Sequence, residues 1–587
     1  MSEKNKGNRV RKIVEKIFEQ RLTSIVEDVG KNIDTLQMLG EAAELMYRQG
    51  RFNEGEYIRT ANEVLVPFLL ENYDPSSVPH KRYKPTDFVD LFDFLRAFLS
   101  LRDFIFYSYD NEDVVTWTKE ENVIKVVLND DSILRQHASE AMSFGMNSSN
   151  APHSREDSPE LLLKGTRAFD FSNPNVKKAF DVISIIAGWK IDYYFSYIPE
   201  DSDVMLDGYK YSTFIGTYRS LLVLALYERY FSKANGLSGV ITYREEELLG
   251  QAMQQYPLEN RDSLAKIFRD IAKSSRCTFN YIPQENIYLL NPTCFSLVDG
   301  ITNVLREFAK SDPDSFSSNV SEIMGKGLVE KIKSKIEQYP NYKVHTDLKL
   351  DKYDQKLPDI DLLAISYEPS LGFHVFVGEV KNNLPAVWGK DYLKSSGSKG
   401  FITKAISQIE TIKSFLQTDD GLMLIHDLAV KAFPELDVKR LFPHGICVVV
   451  DTLIISSQSA GMFFPENNIP ILDGDTLCHI IDESDGDTNY ILFHLRGHKE
   501  FIDECTVRST ERVAVAEYVI EYDIIAMDKV YGLAKNEFVS VGAIEQLENE
   551  SLESGYTMAG ALRHLGNQDY FMDSDSMPQN MSLVIMH

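Results

Sequence analysis

Two segments constrain this chain more than any others: PDIDLLAIS (Pro358–Ser366) and FHVFVGEVK (Phe373–Lys381). Both are apolar at nearly every position, odd and even, which is the pattern of strands covered on both faces by helices. Yet each carries charge, Asp359 and Asp361 in the first and Glu379 and Lys381 in the second. Side chains two apart on a strand share a face, so each pair projects together. An ionised carboxylate in such a setting costs on the order of several kcal/mol unless a cation or hydrogen bonds offset it. These residues therefore predict a sheet buried between helical layers, with two acids and a lysine meeting at one edge. Magnesium is the simplest compensation, because it prefers oxygen ligands and is often held by only one or two carboxylates.

The flanks fit the same scheme. GKGLVEKIKSKIEQ (Gly325–Gln338) precedes the two strands and KGFITKAISQIETIKSFL (Lys399–Leu416) follows them, both with helical spacing of apolar residues. GICVVVDTLII (Gly445–Ile455) and NYILFHL (Asn489–Leu495) are expected to be further strands, and VAVAEYVIEYDII (Val513–Ile525) another.

PDID…GEVK, with Glu330 on the helix before it and Gln408 on the helix after it, resembles the PD-(D/E)XK nuclease superfamily over about Ser321 to Ile455. The resemblance implies a restriction-endonuclease-like α/β core in the order αβββαβ. It implies Asp361 and Glu379 as ligands of Mg²⁺ or Mn²⁺, joined by the backbone carbonyl of Val380. Lys381 would then be the group that orients or deprotonates the attacking water. Glu330 and Gln408 take supporting catalytic roles on this reading. Asp359 shares the face of Asp361 and is the alternative ligand, but Asp361 lies deeper in the apolar run. Lys390, Lys394, Lys399 and Lys404, in and just after a stretch rich in Gly and Ser, are candidate phosphate contacts.

A net charge of −27, spread evenly, would repel a polyanion. Its distribution matters more. From Lys326 to Leu416 there are 14 lysines against 11 acidic residues, a local excess of +3. The least acidic stretch is the one that holds the motif.

The first part of the chain has long segments of helical periodicity, such as VRKIVEKIFEQRLTSIVEDV (Val10–Val29) and LFDFLRAFLSLRDFIF (Leu91–Phe106). LGEAAELMYRQGRFNEGEYIRTANEVLVP (Leu39–Pro67) has the look of one tetratricopeptide hairpin, but no second copy follows, so a generic helical hairpin is the reading. The stretches Met142–Glu160 and Lys310–Asn319, rich in Ser, Asn, Asp and Pro, are linkers. The expected architecture is multidomain: a largely α-helical N-terminal half followed by the α/β core. It divides into a helical domain at 1–141, a second at 161–309 with a winged-helix-like part at 240–295, the nuclease-like domain at 320–505 and a C-terminal extension at 506–587.

Other chemistries find no support. There is no GxxxxGK[ST], GxSxG or HExxH motif. His494 and His498 would share a face only on a helix, and NYILFHL is expected to be a strand. The five cysteines form no CxxC pair and are expected to be free, buried thiols. The most apolar run, FDVISIIAGWKIDYYF, is broken by Lys190 and Asp192, so no membrane span is expected. The charged N-terminus lacks the pattern of a secretory signal, and a cytoplasmic location is the expectation.

The function expected from these residues is a metal-dependent endonuclease acting on DNA, in restriction or anti-phage defence, with the N-terminal half serving recognition or assembly. Double-strand cleavage by single cores requires a homo-oligomer or a partner protein. Two alternatives stand beside it: a catalytically inactive scaffold that binds nucleic acid or protein, and a ribonuclease.

Overall fold

The computed structural model describes residues 3–49, 51–78, 85–111, 113–129, 158–194, 197–237, 239–275, 277–368, 372–384, 393, 400–436, 446–457, 469–495, 506–527 and 582–586. It is a mixed α/β, multidomain structure in which helices dominate the N-terminal region and the strands form three sheets.

Four long helices open the chain: α1 (Glu3–Val29), α2 (Ile33–Arg48), α3 (Phe52–Glu71) and α4 (Pro85–Asp110). Asn32 caps α2, its side chain accepting from the Thr35 N–H at 3.0 Å. Leu39, Leu65 and Leu95 meet in one core with Val14 and Phe18. The hairpin β1 (Val115–Glu120) and β2 (Val123–Leu128) then interrupts the expected helical domain. Its cause is legible in the side chains. Val115 and Trp117, then Ile124, Val126 and Leu128, are buried at alternate positions, the strand period of two. Its partner comes from the far end of the chain, since β2 pairs in parallel with Tyr518–Met527.

The next unit begins with α5 (Pro159–Leu163), α6 (Pro174–Tyr194) and α7 (Tyr211–Asn235). It continues as β3 (Ile241–Arg244), α8 (Glu245–Gln255), α9 (Arg261–Ser274), β4 (Phe279–Ile282) and β5 (Ile287–Leu290), with the strands in the order β3-β5-β4. Two helices and a hairpin thus occupy the region expected to be winged-helix-like. Three cations of the second helix form ion pairs at the surface with acids of its own and neighbouring segments. Arg261 pairs with Glu246 at 2.5 Å, Arg269 with Glu245 at 3.0 Å, and Lys266 with Asp207 and Asp270 at 2.8 and 3.0 Å. At the hairpin tip, Glu285 accepts a hydrogen bond from the Tyr73 hydroxyl. The short helix α10 (Pro292–Leu297) is held from the other side, its Cys294 N–H donating to the buried Glu44 of α2 at 3.0 Å. Cys277, Cys294 and Cys478 are buried thiols outside any disulfide.

After α11 (Gly300–Ser311), a π-helical turn at Ser317–Ser321 runs into α12 (Glu322–Ile336). Strands β6 (Tyr342–Leu348), β7 (Ile360–Glu368) and β8 (Gly372–Lys381) follow as an antiparallel meander. Helices α13 (Phe401–Leu416) and α14 (Asp419–Ala432) lead to β9 (Ile446–Ser456), which returns parallel to β8. Then come β10 (Ile471–Asp473), parallel to β9, and α15 (Gly474–Glu483). The sheet order is β10-β9-β8-β7-β6, with β13 (Ser582–Met586) also pairing on β9. One face, carrying Leu363, Ile365, Val375 and Val377, packs on Ile409, Ile412 and Ile425 of α13 and α14. The opposite face, with Leu362, Ala364 and Phe376, packs on Leu328 and Ile332 of α12 and Leu477 of α15.

Residues 488–495 are helical, where a strand was expected. Ile491, Leu492 and Leu495 are buried together, a helical spacing that a short apolar run does not distinguish from a strand. His494 packs its ring 4.1 Å from that of Tyr490, and His498 lies outside the described residues. The hairpin β11 (Thr506–Val515) and β12 (Tyr518–Met527) completes the first sheet in the order β1-β2-β12-β11, so this part of the C-terminal extension belongs with the N-terminal helices. Ile520, fully buried in that shared core, gives a direct check. Ile520→Ala should cost about 2–5 kcal/mol, and hydrogen exchange should show the loss in the amides of β2, some four hundred residues away in sequence.

Candidate active site

The chemistry-bearing side chains gather where β7 and β8 run side by side. The ladder pairs Leu362 with Gly378, and one step further along the register Asp361 lies across from Glu379. Both acids share the sheet face of Leu363 and Val377, the face covered by α13. Gly378 points the other way, between Leu362 and Ile455. A Cβ there would lie 3.1 Å from the Ile455 side chain, so the glycine allows β7, β8 and β9 to close tightly under the site.

Glu379 is 1 % exposed. Its Oε1 accepts a hydrogen bond from Lys381 Nζ, while its Oε2 is buried without a partner. Burial, and next the charge of Asp361, push its carboxyl up to about 7, and Lys381 opposes the shift. Asp361 is raised as well, chiefly by burial. The Val380 N–H, which donates to its Oδ2 at 2.8 Å, and the Lys381 charge work against that rise. Lys381 Nζ also donates to Gln408 Oε1 of α13 at 2.8 Å. The end of β8 is fixed beyond the lysine: Ser457 N–H donates to the Lys381 carbonyl at 3.0 Å, and Asn383 N–H to Ser457 Oγ at 2.8 Å. Asn382 Nδ2 reaches the Ser321 carbonyl, at the end of the π-helical turn, at 3.1 Å.

Four sequence-predicted residues, Asp361, Glu379, Lys381 and Gln408, are therefore brought together. Val380 joins them through its N–H, and its carbonyl, the predicted ligand, leaves the strand along the same edge. Asp359 stands apart, its Oδ2 bonded to Lys349 Nζ at 2.7 Å. Glu330 faces outward on α12, its side chain 58 % exposed and 3.5 Å from Lys333. Lys404 is exposed on α13 one turn before Gln408. Lys390, Lys394 and Lys399 lie outside the described residues. Asp347 and Lys349, on β6 and just after it, were missed by the sequence reading. Their signal, D-x-K beside a strand edge, has no meaning until the register places Asp347 next to Asp361.

The donor set suits a hard divalent cation. Two carboxylates and a carbonyl are oxygen ligands, and the partnerless Oε2 of Glu379 is the buried group that such an ion would satisfy. No family profile, curated protein or solved structure matches the chain.

Burial disfavours the charged form of Glu379, so its pKa in the folded state lies above its unfolded value. Its effect on metal-free stability is least unfavourable below the unfolded pKa and worsens as pH rises toward about 7. In a chelator, the melting temperature of the wild type should fall relative to Glu379→Gln between about pH 5 and about pH 8, and millimolar Mg²⁺ should cancel the difference.

Proposed function

We propose that this chain is a metal-dependent nuclease that hydrolyses phosphodiester bonds of DNA, with its catalytic centre at Asp361, Glu379, Lys381 and Gln408. The observation that carries the reading is the buried Glu379, one oxygen bound to Lys381 and the other unsatisfied, beside a second desolvated carboxylate. A structural ion pair would satisfy both partners. Here one acceptor remains unused in the place where a cation would sit. The succession helix, three strands, two helices, strand supports the resemblance to the PD-(D/E)XK superfamily.

Asp361, Glu379 Oε2 and the Val380 carbonyl would hold Mg²⁺ or Mn²⁺. When bound, the metal lowers the pKa of a coordinated water and neutralises charge that builds on the phosphate. The protein's own contribution is positional. The Val380 N–H fixes Asp361, and Glu379 and Gln408 together orient the Lys381 ammonium so that it faces a phosphate with its remaining hydrogen. That ammonium orients the attacking water and stabilises the charge that develops in the transition state.

The local excess of lysine along 326–416 favours a polyanionic substrate despite the overall charge. The paired cations of α9 and the docked hairpin tip favour an assembly role for the middle unit over base reading. Restriction or anti-phage defence, a cytoplasmic location and action as a homo-oligomer or with a partner protein belong to the same reading. Among the described residues, no helix is long and apolar enough to cross a membrane.

Purified protein with Mg²⁺ or Mn²⁺ should degrade plasmid DNA, and Lys381→Ala should slow this by roughly 10²–10⁴-fold. Asp361→Asn should do the same, with the fold unchanged by circular dichroism. Equal cleavage by wild type and Lys381→Ala would reject the catalytic assignment in favour of a scaffold. Faster cleavage of RNA in parallel assays would reassign the substrate.

A further inference from the structure

The turn that joins α5 to α6 is basic and aromatic in a chain of net charge −27. From Leu161 to Lys178 there are four cations, Lys164, Arg167, Lys177 and Lys178, against one acid, Asp170, a local excess of +3. All four cations are exposed, and Lys164, Arg167 and Lys177 enter no ion pair among the described residues. The arginines of α9, by contrast, are paired. Of the acids nearby, Asp170 accepts at its Oδ1 from the Ser172 N–H at 3.2 Å, Glu160 pairs with Lys233 of α7 at 2.8 Å, and Asp181 is exposed a turn past Lys177 on α6.

Two phenylalanine rings stand among these cations, Phe169 38 % exposed and Phe171 50 % exposed. Both are held in place. Phe169 stacks on Tyr227 of α7 with ring centroids 4.4 Å apart, and Tyr227 stacks in turn on Phe231 at 5.9 Å. Phe171 meets Phe180 of α6 edge-on at 5.3 Å and lies 6.4 Å from Phe169. The Phe169 N–H donates to the Tyr227 hydroxyl at 2.9 Å, in a left-handed backbone (φ 54°) that a bulky residue rarely adopts. The start of the turn is tied to α7 as well, the Gly165 N–H donating to Asn235 Oδ1 at 2.9 Å.

We infer that this turn is a binding site for single-stranded nucleic acid, in which Phe169 and Phe171 stack on unpaired bases while Lys164, Arg167, Lys177 and Lys178 meet the phosphates. Exposed rings, on which any base can stack, beside cations that follow a backbone are the chemistry of sequence-tolerant single-strand binding. A duplex keeps its base faces covered and gives these rings nothing to stack on. A protein partner fits less well, because lysine is depleted at protein–protein interfaces and here surrounds the apolar surface. The site shares no residue with the charged sheet edge, so the inference goes beyond the catalytic reading and stands without it.

Fluorescence anisotropy of a labelled oligodeoxythymidylate, titrated with the intact chain in EDTA, tests it. The single strand should bind roughly tenfold or more tightly than its duplex with oligodeoxyadenylate, and Phe171→Ala should weaken it by roughly tenfold. Phe171→Leu, which keeps an apolar surface without a π face, should be as weak, whereas Phe171→Trp should match or exceed the wild type. Arg167→Gln with Lys177→Gln should weaken binding and reduce the slope of log affinity against log salt by about 0.7 for each cation removed. Phe171 is half exposed and Arg167 and Lys177 lie at the surface, so these variants should fold, with circular dichroism as the check. Failure of the wild type to bind the strand overturns the inference. So does wild-type affinity in Phe171→Ala or Phe171→Leu, or a duplex bound as tightly as the single strand. Displacement of the strand by polyglutamate at equal charge would also overturn it, reassigning the turn to an acidic protein surface.

Discussion

The desolvation of Glu379 is the constraint on which the charged edge of the six-stranded sheet depends. A carboxylate this deep in a sheet is tolerated only where the surroundings offset its charge, and the surroundings here do so incompletely. Among the described residues, the cation bonded to it is Lys381, two residues along the same strand. That lysine must itself be held, which is the task of Gln408 and of the bonds from Ser457 to the end of β8. Asp361 is restrained separately, by a backbone N–H that no substitution at position 380 short of proline would remove. The supports of the site are backbone groups and partly buried side chains. It remains receptive because one acceptor is left over.

The apolar layers make this electrostatics possible. The face of β7 and β8 that bears the charges is continuous with Leu363, Ile365, Val375 and Val377, all sealed by α13 and α14. Water is kept from one side of the carboxylates, which raises their affinity for protons and, by the same reasoning, for metal. The opposite face belongs to a different cluster, one that runs without interruption from Leu163 in the middle unit to Leu495. Helix α12 lies in that cluster, and the turn before it receives the Asn382 side chain one residue after Lys381. The middle unit is thereby packed against the six-stranded sheet, while Glu44 of α2 and Tyr73, just after α3, hold it from the other side.

How much of this could be read from the sequence depended on whether the signal was local. Asp361, Glu379 and Lys381 declared themselves because charge in a doubly apolar strand is anomalous within a few residues. Gln408 and Glu330, on the flanking helices, were marked by the family resemblance alone; Gln408 meets Lys381, whereas Glu330 faces solvent because of how α12 is rotated against the sheet. Asp347 and Lys349 were invisible for the opposite reason: an Asp and a Lys near a loop are ordinary, and only cross-strand register gives them neighbours. The β1–β2 hairpin was hidden by the long helices before it, and the helix at 488–495 by the ambiguity of a short apolar run. Long-range pairing leaves no trace in composition, so the union of β2 with β12 was beyond any local reading.

That union carries a consequence for how the molecule is assembled. Val123–Val126 pair with Val519–Tyr522, so the first sheet is closed by strands between which lie the middle unit and the strands β6 to β10 of the six-stranded sheet. The entropy of closing so long a loop in an unfolded chain, growing as about (3/2)RT ln n, is large next to what four residue pairs return. If the intervening domains fold first, the same ends are already held near one another and the effective loop is far shorter. The N-terminal helices therefore depend on the C-terminal hairpin for the last two strands of their sheet, and that hairpin is reached only after the chain has passed through the middle unit and the six-stranded sheet.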